Sequence, residues 1–177
     1  MSIDGIEKRT QRNFYDGFVP LCGASKNMQK PRCIGLDFGD KTIGVALGCP
    51  DSRVATGLET IRRKTPEALR ESVNRLGEII KQYNITHIIL GYPLNMDGSP
   101  SIRAEKTQNF REKLRRNFKS VQVILWDERL STQAVTRAFF EGTGSKKRRE
   151  TYNSQVDEMA ATYILQGYLS SDATRKI

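Results

Sequence analysis

The sequence has few of the side chains that build zinc centres and nucleophilic triads. Its 177 residues include one histidine, His87, and three cysteines, which form no Cys-x-x-Cys pair. A histidine-based zinc site and a Ser-His triad therefore have little support. His87 lies in the strand-like segment THIIL, where we expect a packed or strand-edge side chain. The odd number of cysteines favours reduced thiols in a cytosol-like compartment.

Long apolar segments are also missing. No run approaches the roughly 20 apolar residues of a membrane span, so no membrane partner is expected. Residues 1–32 are polar, mixed in charge and without a sustained apolar core, which is unlike a secretory signal. We expect 1–32 to be a flexible extension, 33–170 to form one domain, and 171–177 to be a short tail. A targeting peptide is the alternative for the extension, although its acidic residues count against one. A cytoplasmic location is expected.

Positive charge is present in excess. Lys and Arg number 29 against 20 Asp and Glu, and the formal net charge is +9. This balance favours a polyanionic partner, either nucleic acid or an anionic surface. The predicted helix after Pro100 is rich in basic residues, but a charged helix face is more often only solvated. The candidate nucleic-acid contacts are a basic run that precedes Asp157, namely Lys146, Lys147, Arg148 and Arg149.

The pattern of apolar and turn residues predicts an α/β fold. The stretch CIGLDFGDKTIGVALG, at 33–48, predicts two buried strands joined by a turn at 39–41. Further strands are predicted at 54–61, 86–91 and 121–126, and helices at 66–83, 100–118, after Ser131 or Thr132, and at 154–169. This order predicts a mixed five-stranded sheet, with three antiparallel strands followed by parallel βα units and helices on both faces.

Details of the helices follow from caps and periodicity. Thr65-Pro66 and Ser99-Pro100 have the cap-plus-proline pattern that starts a helix. Residues 142–152 are polar and basic, and we expect a loop there. The expected inward-facing side chains recur at helical spacing. They are Leu69, Val73, Leu76, Ile80 and Tyr83 in the first helix, Phe110, Leu114 and Phe118 in the second, and Val156, Met159, Ala160, Tyr163 and Ile164 in the last.

The first candidate catalytic residue is Asp37, which lies inside an apolar run. Burying a lone carboxylate is unfavourable, so its charge needs a partner, a proton or a metal. The alternative is that Asp37 merely starts the turn, because Asp is a common turn residue. Four glycines in the same stretch, at positions 35, 39, 44 and 48, would let a backbone or a ligand approach closely.

Two further acids are candidates. Glu128 follows Asp127 at the end of a predicted strand, the place where ligands usually bind in α/β sheets. Both acids have the alternative of simple solvation. Asp157 has a stronger alternative, because Ser154-x-x-Asp157 fits the capping box of the last predicted helix. If the fold gathers Asp37, Glu128 and Asp157, their hard oxygen ligands suit Mg²⁺ or Mn²⁺. Such metals activate water for hydrolysis of a phosphodiester.

Four motifs occur in a fixed order: GLDFGDKTIGVALG, ILGYPLNMDGS, WDERLST and VDEMAATYIL. In these motifs the sequence resembles the YqgF family, which is described as pre-16S rRNA nucleases and as Holliday-junction-resolvase-like proteins. The resemblance covers about residues 32–169 and implies a ribonuclease H-like fold. It also implies that Asp37, Glu128 and Asp157 match the family's three acids, each a metal ligand and a catalytic residue.

The resemblance implies a metal-dependent endonuclease that acts on structured nucleic acid, with processing of precursor 16S rRNA as its role. A Holliday junction resolvase and a non-catalytic nucleic-acid-binding module are the alternatives, and a monomer or a homodimer is expected. Asp40 replaces the family's usual Thr and adds a negative charge beside the site, and Tyr92 replaces the usual Leu. Asn95 and Asp97, after the fourth strand, are candidates to face the substrate, although a turn before the next helix also explains this loop.

Overall fold

The computed structural model describes residues 32–65, 67–95, 99, 101–127 and 146–171, with only the backbone for 102 and 146–155. Five strands and three helices are described. In chain order they are β1 (Arg32–Phe38), β2 (Thr42–Cys49), β3 (Val54–Arg62), α1 (Leu69–Tyr83), β4 (Ile85–Tyr92), α2 (Ile102–Asn117), β5 (Gln122–Asp127) and α3 (Lys146–Ser170).

The strands form one mixed sheet in the order β3-β2-β1-β4-β5. β2 is antiparallel to β1 and to β3, whereas β4 is parallel to β1 and β5 is parallel to β4. The expected α/β architecture, with three antiparallel strands followed by parallel βα units, is therefore confirmed. The predicted turn is also present, since the Gly39 N–H donates to the Thr42 carbonyl at 2.9 Å. β1 is the central strand.

Helices cover both faces of the sheet, as predicted. Side chains alternate along a strand, so successive residues of β1 enter different cores. One core joins the sheet to α1 and α2, and its buried members include Ile34, Leu36, Leu76, Ile79, Phe110 and Leu114. The other joins the sheet to α3, and its buried members include Cys33, Ala46, Ile89, Ala161, Ile164 and Leu165.

α3 packs against the sheet at two glycines. A Cβ added to Gly35 would lie 2.6 Å from the Leu165 Cβ, and one added to Gly44 would overlap the carbonyl of Asp157. The prediction that these glycines allow a backbone to approach closely is confirmed. α3 also holds the edge strand β3, because Gln166 Oε1 accepts a hydrogen bond from the Ala55 N–H at 3.0 Å.

The starts of all three helices differ from the predicted ones. α1 begins at Leu69 after Ala68, which has no side-chain cap, so the start at residue 66 was wrong. α2 has Ser101, not Ser99, at its N-cap position, and the Ser101 hydroxyl donates to the Pro93 carbonyl at 2.7 Å. α3 begins at Lys146, so a loop over 142–152 was wrong from residue 146 onward. Lys, Arg and Glu are good helix formers, and they extend the helix without an apolar stripe.

The inward-facing predictions are confirmed in α1 and α2 but only in part in α3. Val73, Leu76, Phe110 and Leu114 are buried, and Leu69, Ile80, Tyr83 and Phe118 pack against the same core. In α3, Ala160 and Ile164 are buried, whereas Met159 and Tyr163 are 40% and 38% exposed. The packing predicted for these two side chains was therefore wrong, because the face of α3 that carries the small residues Ala160 and Ala161 meets the sheet. Glu128 and the helix predicted after Ser131 or Thr132 lie outside the described residues.

The cysteines and the histidine behave as structural residues. Cys33 is fully buried and free, and burial raises the pKa of its thiol to about 12. Cys49 is disulfide-bonded, so the expectation of reduced thiols is wrong for it. His87 is half-buried in β4, between Cys33 and Gln122 of the neighbouring strands, and burial lowers its pKa. Within the described ranges, no helix is long and apolar enough to span a membrane.

The packing of α3 on β2 predicts a large difference between two Gly→Ala variants. Gly44→Ala should destabilise the fold by about 1–3 kcal/mol or more, because the new methyl group meets a backbone carbonyl. Gly77→Ala is the control: its Cβ would lie 3.3 Å from the edge of the Phe118 ring. The gain of about 0.5–1 kcal/mol from replacing a helical glycine offsets that contact. Urea unfolding measures both, and equal stability of the two variants would contradict this packing.

Candidate active site at the end of the first strand

Asp37 is the only acid in β1, and it lies one residue before the end of the strand. It is 8% exposed, so the predicted burial of this carboxylate is confirmed. Because the turn is closed between Gly39 and Thr42, Asp37 belongs to the strand and not to the turn. Its side chain lies on the same face of the sheet as position 35, where α3 packs.

Asp157 lies on the same face of the sheet as Asp37. Gly44 is the cross-strand partner of Asp37, and the backbone of Asp157 packs directly on Gly44. Facing residues of an antiparallel pair are only about 4.5–5.5 Å apart between Cα atoms. Gly44 has no side chain, so no side chain at position 44 lies between Asp37 and Asp157.

The capping interpretation of Asp157 is wrong. Asp157 lies eleven residues after the first residue of α3, in the interior of the helix and not in its first turn. An acid there has no helix N-terminus to stabilise, because that effect falls off within the first turn. Asp157 is half-buried. An acid in the middle of a helix, half-buried against the sheet, therefore needs a reason other than capping.

The sequence interpretation missed Glu158. It is half-buried, and its side chain packs over Gly57 of β3, where an added Cβ would lie 2.8 Å from the Glu158 Cδ. Burial raises the pKa of Glu158. The only signal in the sequence was its position directly after Asp157. The pair Asp157 and Glu158 thus puts two acids next to the antiparallel strands β2 and β3.

The ends of β4 and β5 lie at the same edge of the sheet as the end of β1. β1, β4 and β5 are parallel to one another. Tyr92, the last residue of β4, pairs with Asp127, the last residue of β5. Glu128 is the next residue along the chain but lies outside the described residues. Within the part of the chain that is described, no group of three His, Cys, Asp or Glu side chains is arranged to hold a metal ion. Of the three predicted acids, the described structure places Asp37 and Asp157 on one face of the sheet, with the Asp157 backbone packed on the cross-strand partner of Asp37.

The donor atoms at this place fit a hard cation. Asp37 and Asp157 offer only carboxylate oxygens, and His87 is in β4 with its Nδ1 2.8 Å from the Thr86 hydroxyl. Oxygen ligands of this kind suit Mg²⁺ or Mn²⁺ better than they suit zinc.

The two predicted groups of nucleic-acid contacts lie elsewhere. The basic run from 146 to 149 forms the first turn of α3. At 1.5 Å per residue, it begins roughly 16 Å along the helix from Asp157. Asn95 is exposed and closes a small turn, since its backbone N–H and its Nδ2 donate to the carbonyl and hydroxyl of Ser99, each at 2.9 Å. These two hydrogen bonds are the ones expected if this loop is a turn that precedes the next helix.

Comparison with known proteins identifies the family. The model of the RuvX family, described as Holliday junction resolvase, matches residues 31–171. A protein of Agathobacter rectalis named "Putative pre-16S rRNA nuclease" is 48% identical over 138 residues, which cover 78% of this chain and 94% of that protein. A protein of Clostridium acetobutylicum with the same name is 44% identical over 140 residues, which cover 79% and 98%.

A solved structure gives a weaker likeness. RuvC of Thermus thermophilus in complex with a Holliday junction substrate aligns with a TM-score of 0.45 at 12% identity, over 78% of this chain and 94% of that one. The family model covers the whole described domain, from β1 to the end of α3. The chain therefore belongs to the RuvX (YqgF) family of nucleases.

Proposed function

We propose that this chain is a metal-dependent endonuclease that hydrolyses phosphodiester bonds of structured RNA during maturation of precursor 16S rRNA. The observation that carries the proposal is the packing of Asp157 on Gly44, the cross-strand partner of Asp37. It supports a shared site for two acids that are far apart in the sequence. The names of the close relatives support the choice of substrate. This role implies a cytoplasmic location.

In this proposal, Asp37, Asp157 and Glu128 hold Mg²⁺ or Mn²⁺. The bound metal would activate water and stabilise the leaving oxygen of the phosphodiester. The chain itself supplies rigid positions for the ligands. Asp37 is on the central strand, and Asp157 is on a helix whose backbone packs directly on β2 at Gly44. Pre-positioned ligands lose little conformational freedom when the metal binds.

The start of α3 provides the second part of the proposal. In this interpretation, the basic run binds phosphates of the substrate strand and so guides it towards the acids. Along the axis of a DNA duplex, one strand has one phosphate per about 3.4 Å, so an axial length of roughly 16 Å corresponds to about five phosphates. The members of the run are Lys146, Lys147, Arg148 and Arg149.

Branched DNA is the second candidate substrate, because the family model is described as a Holliday junction resolvase. A resolvase makes two symmetric cuts and so requires two copies of the chain. A non-catalytic nucleic-acid-binding module is the third possibility, and it has no use for acids gathered on one face of the sheet. The predictions below separate these three functions.

The metal site is tested by thermal melting of Asp37→Asn and Asp157→Asn. Gathered carboxylates repel one another without metal, so each variant should be at least as stable as the wild type in chelator. The wild type should gain about 2.7 kcal/mol at a metal concentration one hundred times the dissociation constant, and the variants much less. Asp51→Asn, in the exposed turn before β3, is the control and should gain as much as the wild type. Variants that gain as much as the wild type and still cleave would refute the site.

The basic run is tested by the salt dependence of nucleic-acid binding. Replacing Lys146 and Lys147 by Gln should lower the log–log slope by roughly 0.7–0.9 for each phosphate that the variant no longer neutralises. The control pair, Arg53→Gln and Lys81→Gln, removes the same charge from exposed positions at the other end of the sheet. An unchanged slope in the test pair, or an equal change in the control pair, would mean that the run is only solvated.

The substrate is tested by comparing cleavage of precursor 16S rRNA and of a four-way DNA junction by the purified protein with Mg²⁺ or Mn²⁺. We expect the RNA to be cut faster and Asp37→Asn to cut neither substrate. Faster cutting of the junction, together with a dimer in analytical ultracentrifugation, would favour the resolvase. Binding without cleavage of either substrate would leave the non-catalytic module.

A further inference from the structure

A cavity of about 340 Å³ opens on the face of the sheet opposite Asp37. It lies between the turn after β1, the residue after β3, and the helices α1 and α2. Phe38, which follows Asp37 and therefore points to the other face, forms part of its wall and stacks on Phe110 with 4.2 Å between ring centroids. The cavity and the Asp37–Asp157 face thus share one end of β1 but lie on its two sides.

Arg63 is the unusual side chain of this cavity. It is 6% exposed, yet two of its nitrogens, Nε and Nη1, have no hydrogen-bond partner among the described residues. Its Nη2 donates to the Gly39 carbonyl, and its guanidinium carbon lies 4.9 Å from the centre of the Phe38 ring. Burial lowers the pKa of Arg63. Leaving donors of a buried charge unpaired is costly, so the arrangement favours an anion that accepts from them.

Two lysines of α2 complete the basic lining. Lys106 and Lys113 are seven residues apart, on one face of the helix, and both line the cavity with Arg63. The acids of the lining are Asp40 and Glu67, so three cations face two anions.

Asp40 already forms an ion pair with one of these lysines, Lys106. Its Oδ1 lies 2.8 Å from the Lys106 Nζ, and this bond lowers the pKa of Asp40. The side chains are 56% and 59% exposed, and an exposed ion pair of this kind contributes little to stability. Lys106 can therefore exchange Asp40 for an incoming anion at little cost, and Asp40 weakens the site without closing it.

We propose that this cavity binds a phosphate group of the nucleic-acid strand, with Arg63 as the buried anchor and Lys106 and Lys113 at the rim. The Arg63 guanidinium is a permanent cation with two unused donors, and a phosphate oxygen is a strong acceptor for either of them. A strand that passes the end of β1 would then contact the protein on both faces of the sheet, at the acids on one side and at Arg63 on the other. The inference rests on the proposed function only in taking nucleic acid as the molecule that carries the phosphate group.

The first measurement is a titration of the full chain with inorganic phosphate at constant ionic strength. The signal is the ¹⁵N–¹H resonance of the Arg63 Nε–H, assigned by its loss in Arg63→Met. It should shift and saturate. Lys106→Gln should weaken phosphate binding about two- to fivefold, as expected for an exposed charge, and Asp40→Asn should strengthen it by a similar factor. Lys81→Gln, an exposed control at the far end of α1, should change nothing.

The second measurement identifies the source of the phosphate. Lys113→Gln should lower the log–log salt slope of RNA binding by roughly 0.7–0.9, while Lys81→Gln should lower it by much less. An Arg63 resonance that phosphate does not move would overturn the site. Saturable phosphate binding with an unchanged RNA slope in both Lys106→Gln and Lys113→Gln would overturn the assignment to nucleic acid and identify a free phosphate compound as the ligand. A wild type that shows both effects but cleaves nothing would refute the nuclease proposal and leave this site standing.

Discussion

The contact between the backbone of α3 and the glycines of β1 and β2 is the constraint on which the rest of the structure depends. Gly35 and Gly44 allow the helix to lie directly on the sheet, where any larger residue would collide with Leu165 or with the carbonyl of Asp157. This contact fixes the rotation of the helix, which buries Ala161 and Leu165 and leaves Met159 exposed. The same rotation brings Asp157 to the cross-strand partner of Asp37. One contact therefore determines both how α3 packs on the sheet and where Asp157 lies.

The end of the central strand β1 presents different side chains to the two faces of the sheet. Asp37 and Phe38 are neighbours in the chain, but the pleat points one towards α3 and the other towards α1 and α2. Acids gather on the first face. On the second, Phe38 supports the buried guanidinium of Arg63 beside the lysines of α2. In our two proposals, a metal site and a phosphate site lie back to back at one end of one strand, an arrangement that suits a nuclease acting on a polyanion.

Much of this could be predicted from the sequence. Apolar runs and turn residues predicted all five strands, and Gly35 and Gly44 were correctly taken as points of close approach. The start of α3 was missed because its first turns have charged residues and no apolar period, and this error produced the wrong capping interpretation of Asp157. Arg63 could not be found at all, because it is one of several basic residues after β3 and only tertiary packing buries it. Local patterns report local structure, whereas burial of a charge depends on residues distant in the chain.

The use of Asp37 and Asp157 as one metal site is tested most directly by the affinity of the protein for Mn²⁺, measured from the electron paramagnetic resonance signal of the free ion. The wild type, Asp37→Asn, Asp157→Asn and the double variant form a complete cycle. If the two carboxylates hold the same ion, each single variant binds Mn²⁺ more weakly, and the decrease in affinity of the double variant is smaller than the sum of the two single decreases. Single variants that bind as tightly as the wild type, or decreases that simply add, would contradict a shared site.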